Sequence, residues 1–159
     1  MGGFHLVCDA TNDKSIKKLR ELKNRKTKPF AVMFKNINEL KKCTNINKKE
    51  EEIISSNKKP ITLVKKNNKS LLSSLIAPNI DRLGVFLPYT ALHVLLFQKL
   101  LNPIILSSAN LKDEPIITSY EDILKKLPSV ISYVLDFNRD IINYWKHCIN
   151  YMSCSTKKC

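Results

Sequence analysis

The sequence contains only three glycines in 159 residues, and this scarcity excludes one large class of nucleotide-binding site. Phosphate-binding loops of the P-loop or dinucleotide type need several glycines at fixed spacing, so that backbone N–H groups can approach the phosphates closely. The chain has no such glycine-rich loop.

Long hydrophobic runs and an ordered cysteine pattern are missing as well. No apolar stretch approaches the roughly 20 residues of a membrane span, and Met1 to Cys8 lack the pattern of a signal peptide. The cysteines are odd in number, and the spacing of Cys148, Cys154 and Cys159 matches no closed zinc site. We therefore expect a cytoplasmic protein with free thiols, no bound metal and no membrane contact.

Arginine is scarce, although the formal net charge is +13. Lysine supplies most of the 27 basic residues and is dispersed along the chain beside asparagine and isoleucine. Arginine is the residue favoured for bidentate contacts with phosphates and bases, and no aromatic residues are interleaved with the basic clusters. We expect a solvated lysine surface that binds nucleic acid only nonspecifically.

Short apolar segments alternate with amphipathic segments of helical length along the chain. The predicted strands are Phe4–Cys8, Pro29–Phe34, Pro60–Val64, Gly84–Pro88, Pro103–Ser107 and Tyr133–Phe137, and the predicted helices are Asp13–Arg25, Ile37–Cys43, Lys48–Ser55, Ala91–Leu101 and Ser119–Leu127. The nearly continuous apolarity of the second strand indicates a mid-sheet position with both faces covered. The pattern predicts an α/β domain whose open sheet is twisted, mixed or mostly parallel, with flanking helices.

A first candidate site follows the first predicted helix. Lys23 and Arg25 lie at its end, and Lys28 lies in the loop that leads to the next strand. A lysine point charge beside an arginine fork can clamp a polyphosphate, and such a loop can reach a pocket at the C-terminal edge of an open α/β sheet. A solvated helix end with favourable macrodipole placement has the same pattern, so the spacing alone leaves both interpretations open.

A second candidate site follows the strand that ends near residue 106. Ser107, Ser108 and Asn110 place two hydroxyls and an amide at a strand end, where they can hydrogen-bond phosphate oxygens or a small amide such as carbamate. An ordinary serine or asparagine turn has the same composition. Arg139, in Asn138–Asp140, is a third candidate, with a surface salt link as its alternative.

Five segments of the sequence, taken in order, resemble the YrdC-like domain of the HypF carbamoyltransferases of hydrogenase maturation. These segments are Gly2–Ala10, Arg25–Met33, Leu83–His93, Ser107–Ile116 and Asn138–Ile141. The resemblance extends over about residues 1–143 and implies a twisted α/β fold. It also implies an adenylation reaction in which carbamate and ATP form carbamoyl-adenylate and pyrophosphate.

The same resemblance implies ligands, partners and residue roles. ATP with Mg²⁺ would be the cofactor, carbamate or carbamoyl phosphate the donor, and HypE the acceptor in the full-length family, on the way to the cyanide ligands of [NiFe]-hydrogenase. Lys23 and Arg25 match a Lys-x-Arg element, and Ser108 and Asn110 match a Ser-x-Asn element; together these hold the nucleotide phosphates and the carbamoyl group. Arg139 resembles a further pocket residue.

The sequence departs from this family at both ends. The family domain has a helix, a strand and a pocket lysine before the segment with which this chain begins, and residues 144–159 differ from the strand that the family has there. We expect a partial YrdC-like domain over 1–143, a divergent disordered tail over 144–159, and impaired activity of the isolated chain. Two alternatives stay open: an RNA-binding or tRNA threonylcarbamoyl-modifying module of YrdC type, and a non-functional product of a frameshifted gene.

Overall fold

Helices of the protein begin where the sequence supplies a side-chain oxygen as a cap. The computed structural model describes residues 3–67, 70–111, 114–127 and 131–136. Each helix follows an asparagine, threonine or serine whose side chain accepts a hydrogen bond from the backbone three residues later. The helices are α1 (Asp13–Leu22), α2 (Ile37–Cys43), α3 (Lys48–Ser55), α4 (Ala91–Lys99) and α5 (Tyr120–Lys126).

Six strands form one sheet in the described part of the chain, in the order β1-β6-β2-β5-β4-β3. The strands are β1 (His5–Asp9), β2 (Ala31–Met33), β3 (Thr44–Asn45), β4 (Thr62–Lys66), β5 (Arg82–Phe86) and β6 (Ile104–Ser108). β2 is parallel to β5, whereas β6 is antiparallel to β2, β4 to β5, and β3 to β4. The sheet is therefore mixed, as predicted.

The sheet is not mostly parallel, the other form left open, because β2 with β5 is the one parallel pair among the four pairs just named. Between β4 and β5, the described residues contain a 3₁₀ turn, Ser74–Ile76, and no α-helix. Parallel neighbours need a crossover, usually through an α-helix, and this connection instead returns the chain antiparallel to β4.

Apolar side chains cover both faces of the central strand β2. Val32 belongs to a core cluster that includes Ile16 of α1, Leu40 of α2 and Ile54 of α3. Its neighbour Met33 belongs to a second cluster with Phe86, Phe97 and Ile104, which lies on the α4 side of the sheet. Val32 and Met33 are completely buried and β2 lies inside the strand order, which confirms the mid-sheet position expected from the apolar run.

Several strands differ from those predicted from the periodicity of apolar residues. The short strand β3 was not predicted, and β4 continues to Lys66, two residues beyond the predicted end at Val64. The strand predicted at Tyr133–Phe137 is absent over the described residues 133–136, where Tyr133 is 93% exposed. Residue types that favour strands do not form one where their side chains are not buried against a sheet.

The chain divides into two compact units, one formed by Met1–His5 with Ser108–Cys159 and the other by Leu6–Ser107. In the first unit, Phe4 donates its N–H to the Ile117 carbonyl at 2.8 Å, and Ala109 donates to the Phe4 carbonyl at 2.9 Å. Gly3 has a φ of 151°, a conformation that favours glycine. Residue Arg139 and the predicted tail 144–159 lie outside the described residues. None of the helices in the described ranges is long and apolar enough to cross a membrane.

Candidate functional site

The Lys-x-Arg element lies on the turn that ends helix α1. Asn24 has a φ of 46°, in the left-handed region, where asparagine is the commonest residue after glycine. The Asn24 N–H donates to the Glu21 carbonyl, and the Arg25 N–H donates to the Arg20 carbonyl, both at 3.0 Å. This pair of bonds is a Schellman motif, which satisfies the last helical carbonyls. Asn24 thus ends the predicted helix earlier than Arg25 and turns the chain between the two basic side chains.

Lys23 is a buried cation, and only 4% of its surface is exposed. Burial lowers the pKa of Lys23 from 10.5 to about 8, because the charged amine loses hydration, and the positive charge of Arg25 lowers it further in the same direction. Arg25 is half-buried, and its guanidinium lies 5.7 Å from the centre of the Phe30 ring. The element therefore combines a lysine of lowered pKa with an arginine held on an aromatic face.

Lys28, the third basic residue predicted at this site, is exposed in the loop before β2. Its carbonyl lies 3.4 Å from Nη1 of Arg20. The structure thus brings Lys23 and Arg25 together at the end of α1 and leaves the Lys28 side chain on the surface of the same loop.

Arg20, which the sequence did not single out, organises this loop. Its Nε donates to the Leu75 carbonyl at 2.7 Å, and its Nη2 donates to the Ile76 carbonyl at 3.2 Å. Its Nη1 donates to the Arg25 carbonyl at 2.7 Å, and the guanidinium lies 5.0 Å from the centre of the Phe30 ring. No local pattern identifies this role, because Leu75 and Ile76 are more than 50 residues away in sequence.

The register of β2 and β6 shows which strand ends share one edge of the sheet. β6 is antiparallel to β2, with Val32 opposite Ile105 and Met33 opposite Ile104. This register puts Ser107, near the end of β6, at the edge where β2 begins. The start of β2, into which the loop with Arg25 leads, and the end of β6 therefore lie at the same edge of the sheet. The expected pocket at this edge stays a prediction.

Ser108 and Asn110 contact each other in the unit formed by Met1–His5 and Ser108–Cys159. The Ser108 hydroxyl donates to Oδ1 of Asn110 at 2.7 Å, and the Asn110 amide donates to the Glu114 carbonyl at 2.9 Å. These short-range hydrogen bonds are of the kind expected for a serine or asparagine turn. These bonds hold the Asn110 carboxamide in a fixed orientation.

The described residues offer no cluster of histidine, cysteine, aspartate or glutamate able to hold a metal ion. Cys8 and Cys43 are free thiols, and burial raises the pKa of Cys8 to about 11, so this thiol is unreactive near neutral pH. Cys148, Cys154 and Cys159 lie outside the described residues.

Comparison with known proteins gives consistent similarities. The Sua5/YciO/YrdC family model, described as telomere recombination, matches residues 1–149. The carbamoyltransferase HypF of Synechocystis sp. is 39% identical over 142 residues, which are 89% of this chain and 18% of the relative. HypF of Rhizobium leguminosarum is 36% identical over 149 residues, with 89% and 20% covered. The chain thus spans about a fifth of the length of these relatives.

Solved structures give the same picture. A full-length HypF in a phosphate- and nucleotide-bound form is 41% identical, with a TM-score of 0.82 over 89% of this chain and 22% of that chain. A Sua5 of P. abyssi complexed with L-threonine has a TM-score of 0.68 at 19% identity, over 80% of this chain and 38% of that chain. The second likeness concerns the fold alone.

Proposed function

This chain belongs to the Sua5/YciO/YrdC family, and on that premise we propose that it is the ATP- and carbamate-binding part of a HypF-type carbamoyltransferase. The observation that carries the proposal is the 41% identity to a HypF described as nucleotide- and phosphate-bound. The lower identity to Sua5 gives the tRNA-modification alternative no comparable support. Because the chain spans about a fifth of its HypF relatives, the activity of a whole HypF is not assigned to it.

The proposed reaction is an adenylation. A carbamate oxygen attacks the α-phosphorus of ATP, a new P–O bond forms, and the bond between the α-phosphorus and the bridging oxygen breaks. Pyrophosphate leaves with the bonding electrons, and carbamoyl-adenylate remains. Such a reaction needs in-line positioning and neutralisation of the leaving pyrophosphate more than a covalent intermediate on the protein.

Lys23 and Arg25 are proposed to neutralise the phosphates. Arg25 offers a planar fork for two phosphate oxygens, and its stacking on Phe30 limits the conformations that it must lose on binding. Lys23 adds a charge in a buried setting, where electrostatic attraction is weakly screened. Lys28, which is exposed, would contribute long-range attraction of the polyphosphate.

Ser108 and Asn110 are proposed, from the family resemblance, to bind the carbamoyl group and phosphate oxygens. Their mutual hydrogen bond supports a preorganised polar pair. Ser107 and Arg139 are proposed, on the resemblance alone, to bind the same ligands. A partial domain over residues 1–143 carries all seven of these proposed residues.

The donor set of the described residues does not fit a magnesium ion bound by protein side chains. The Lys-x-Arg element is cationic, and the described ranges hold no carboxylate cluster of the kind that binds metals. We therefore propose that ATP binds as its magnesium complex with the ion on the phosphates, and we assign no protein ligand to it.

The partners are proposed by the same family argument. In a whole HypF-type enzyme, carbamoyl phosphate would supply the carbamate and the C-terminal cysteine of HypE would accept the carbamoyl group, for the cyanide ligands of [NiFe]-hydrogenase. These steps need parts of HypF that lie beyond the matched region of the relatives. A cytoplasmic location, where ATP is available, fits this assignment.

The test is a calorimetric titration of the 159-residue chain with ATP and Mg²⁺, together with an assay for pyrophosphate released on addition of carbamate. We expect saturable ATP binding that Arg25→Ala weakens. Lys18→Ala, an exposed lysine on the same helix, is the matched control and should leave binding unchanged. Absence of binding at about 1 mM ATP, which means a binding free energy weaker than about −4 kcal/mol, would contradict the proposal.

A further inference from the structure

The guanidinium of Arg20 donates hydrogen bonds to backbone carbonyls outside helix α1, in which Arg20 lies. Among the described residues, it donates to carbonyls of two separate segments: Leu75 and Ile76 at the 3₁₀ turn, and Arg25 in the loop that follows α1. The loop carbonyls of Lys26 and Lys28 lie 3.2 and 3.4 Å from the same Nη1. Arg20 thus joins the 3₁₀ turn to the loop.

The bond between Arg20 and Arg25 is reciprocal. The Arg25 N–H donates to the Arg20 carbonyl at 3.0 Å, and Arg20 Nη1 donates to the Arg25 carbonyl at 2.7 Å. Both guanidinium groups also lie on the Phe30 ring, and Phe30 donates its N–H to the Ile76 carbonyl at 3.0 Å. Arg20 therefore contacts both the backbone of Arg25 and the Phe30 ring on which the Arg25 side chain lies.

We propose that Arg20 is a positioning residue for nucleotide binding, which acts by ordering the loop from Lys23 to Phe30 rather than by contact with ATP. This inference rests on the proposed function. A lysine at position 20 cannot replace the arginine, since one ammonium group cannot reach carbonyls that lie on opposite sides of a planar guanidinium fork. The proposal therefore predicts that a variant with the same charge at position 20, but without the guanidinium fork, binds ATP more weakly.

The first measurement is the ATP affinity of Arg20→Lys in the full chain. This variant keeps the positive charge, and we expect about a tenfold weaker affinity because a disordered Arg25 must be ordered on binding. The matched control for charge is a pair, Arg20→Met and Lys17→Met, each of which removes one cation from α1. Lys17 is exposed, so its replacement should change the affinity less than twofold.

A double-mutant cycle distinguishes positioning from general stabilisation. If Arg20 acts through Arg25, the loss of affinity in the double variant Arg20→Met with Arg25→Ala is clearly smaller than the product of the two single losses. Losses that multiply within twofold would mean that the two residues act independently, and the proposal would be wrong. Folded fractions measured by circular dichroism correct each affinity for unfolded chain.

Hydrogen exchange tests the loop without any ligand. In Arg20→Lys, the amides of Arg25 and Phe30 should exchange at least about tenfold faster, while the amide of Leu100, which closes α4 on the Leu96 carbonyl, should not change. Unchanged exchange at Arg25 and Phe30 would overturn the inference. If the wild-type chain binds no ATP, the proposed function fails; if it binds and Arg20→Lys binds equally well, only the role of Arg20 fails.

Discussion

Raising the pH from about 7.5 to about 9 should weaken ATP binding to this chain about eightfold, because Lys23 loses its proton in that range. Burial, followed by the charge of Arg25, lowers the pKa of Lys23 to about 8. If only the protonated lysine binds phosphate, the apparent dissociation constant scales with one plus the ratio of neutral to charged lysine. That factor is about 1.3 at pH 7.5 and about 11 at pH 9. An ordinary lysine would give a flat profile over the same range.

The assay is a calorimetric titration with ATP and Mg²⁺ at several pH values, with buffers of different ionisation enthalpy to count the protons taken up. Lys23→Met should bind more weakly at pH 7.5 and should lose the pH dependence. The stability of the fold should change in the opposite sense. Because the pKa of Lys23 is lower in the folded chain than in the unfolded chain, protonation of Lys23 below about pH 8 disfavours folding. The free energy of unfolding should therefore rise from about pH 8 to about 10.5. An affinity that does not change between pH 7.5 and 9 would refute the role of a buried Lys23.

Three further predictions follow from the described contacts. Arg25→Ala should weaken ATP binding by about 10- to 150-fold in a titration, and Arg25→Lys should recover only part of the loss, since it keeps the charge without the planar fork. Asn24→Val should lower the free energy of unfolding in urea by about 1–2 kcal/mol, because a β-branched residue is strained at a φ of 46°, whereas Asn24→Gly should be neutral or slightly stabilising. Binding of structured RNA, measured by fluorescence anisotropy, should collapse between about 50 and about 200 mM salt; sequence-dependent affinity at the higher salt would favour the RNA-module alternative.

Local chemistry made most of the helices predictable. Asn47 and Glu50 form a capping box at the start of α3, and Ser119 caps α5 through the N–H of Asp122. Both signals lie within four residues in the sequence, so no tertiary information is needed to read them. The end of α1 was placed too late because the left-handed conformation of Asn24 is a property that asparagine tolerates but does not require.

Strand direction was less predictable than strand position. The apolar run around Val32 correctly indicated a central strand, but its direction relative to β6 depends on how a distant connection returns to the sheet. The contribution of Arg20 was also out of reach, because it depends on the carbonyls of Leu75 and Ile76.

Binding of the ATP phosphates by the Lys-x-Arg element is the central claim, and a structure of the chain with a non-hydrolysable ATP analogue tests it most directly. The account predicts phosphate oxygens at about 2.7–3.2 Å from the Arg25 guanidinium. An analogue bound elsewhere, with Arg25 directed into solvent, would contradict it.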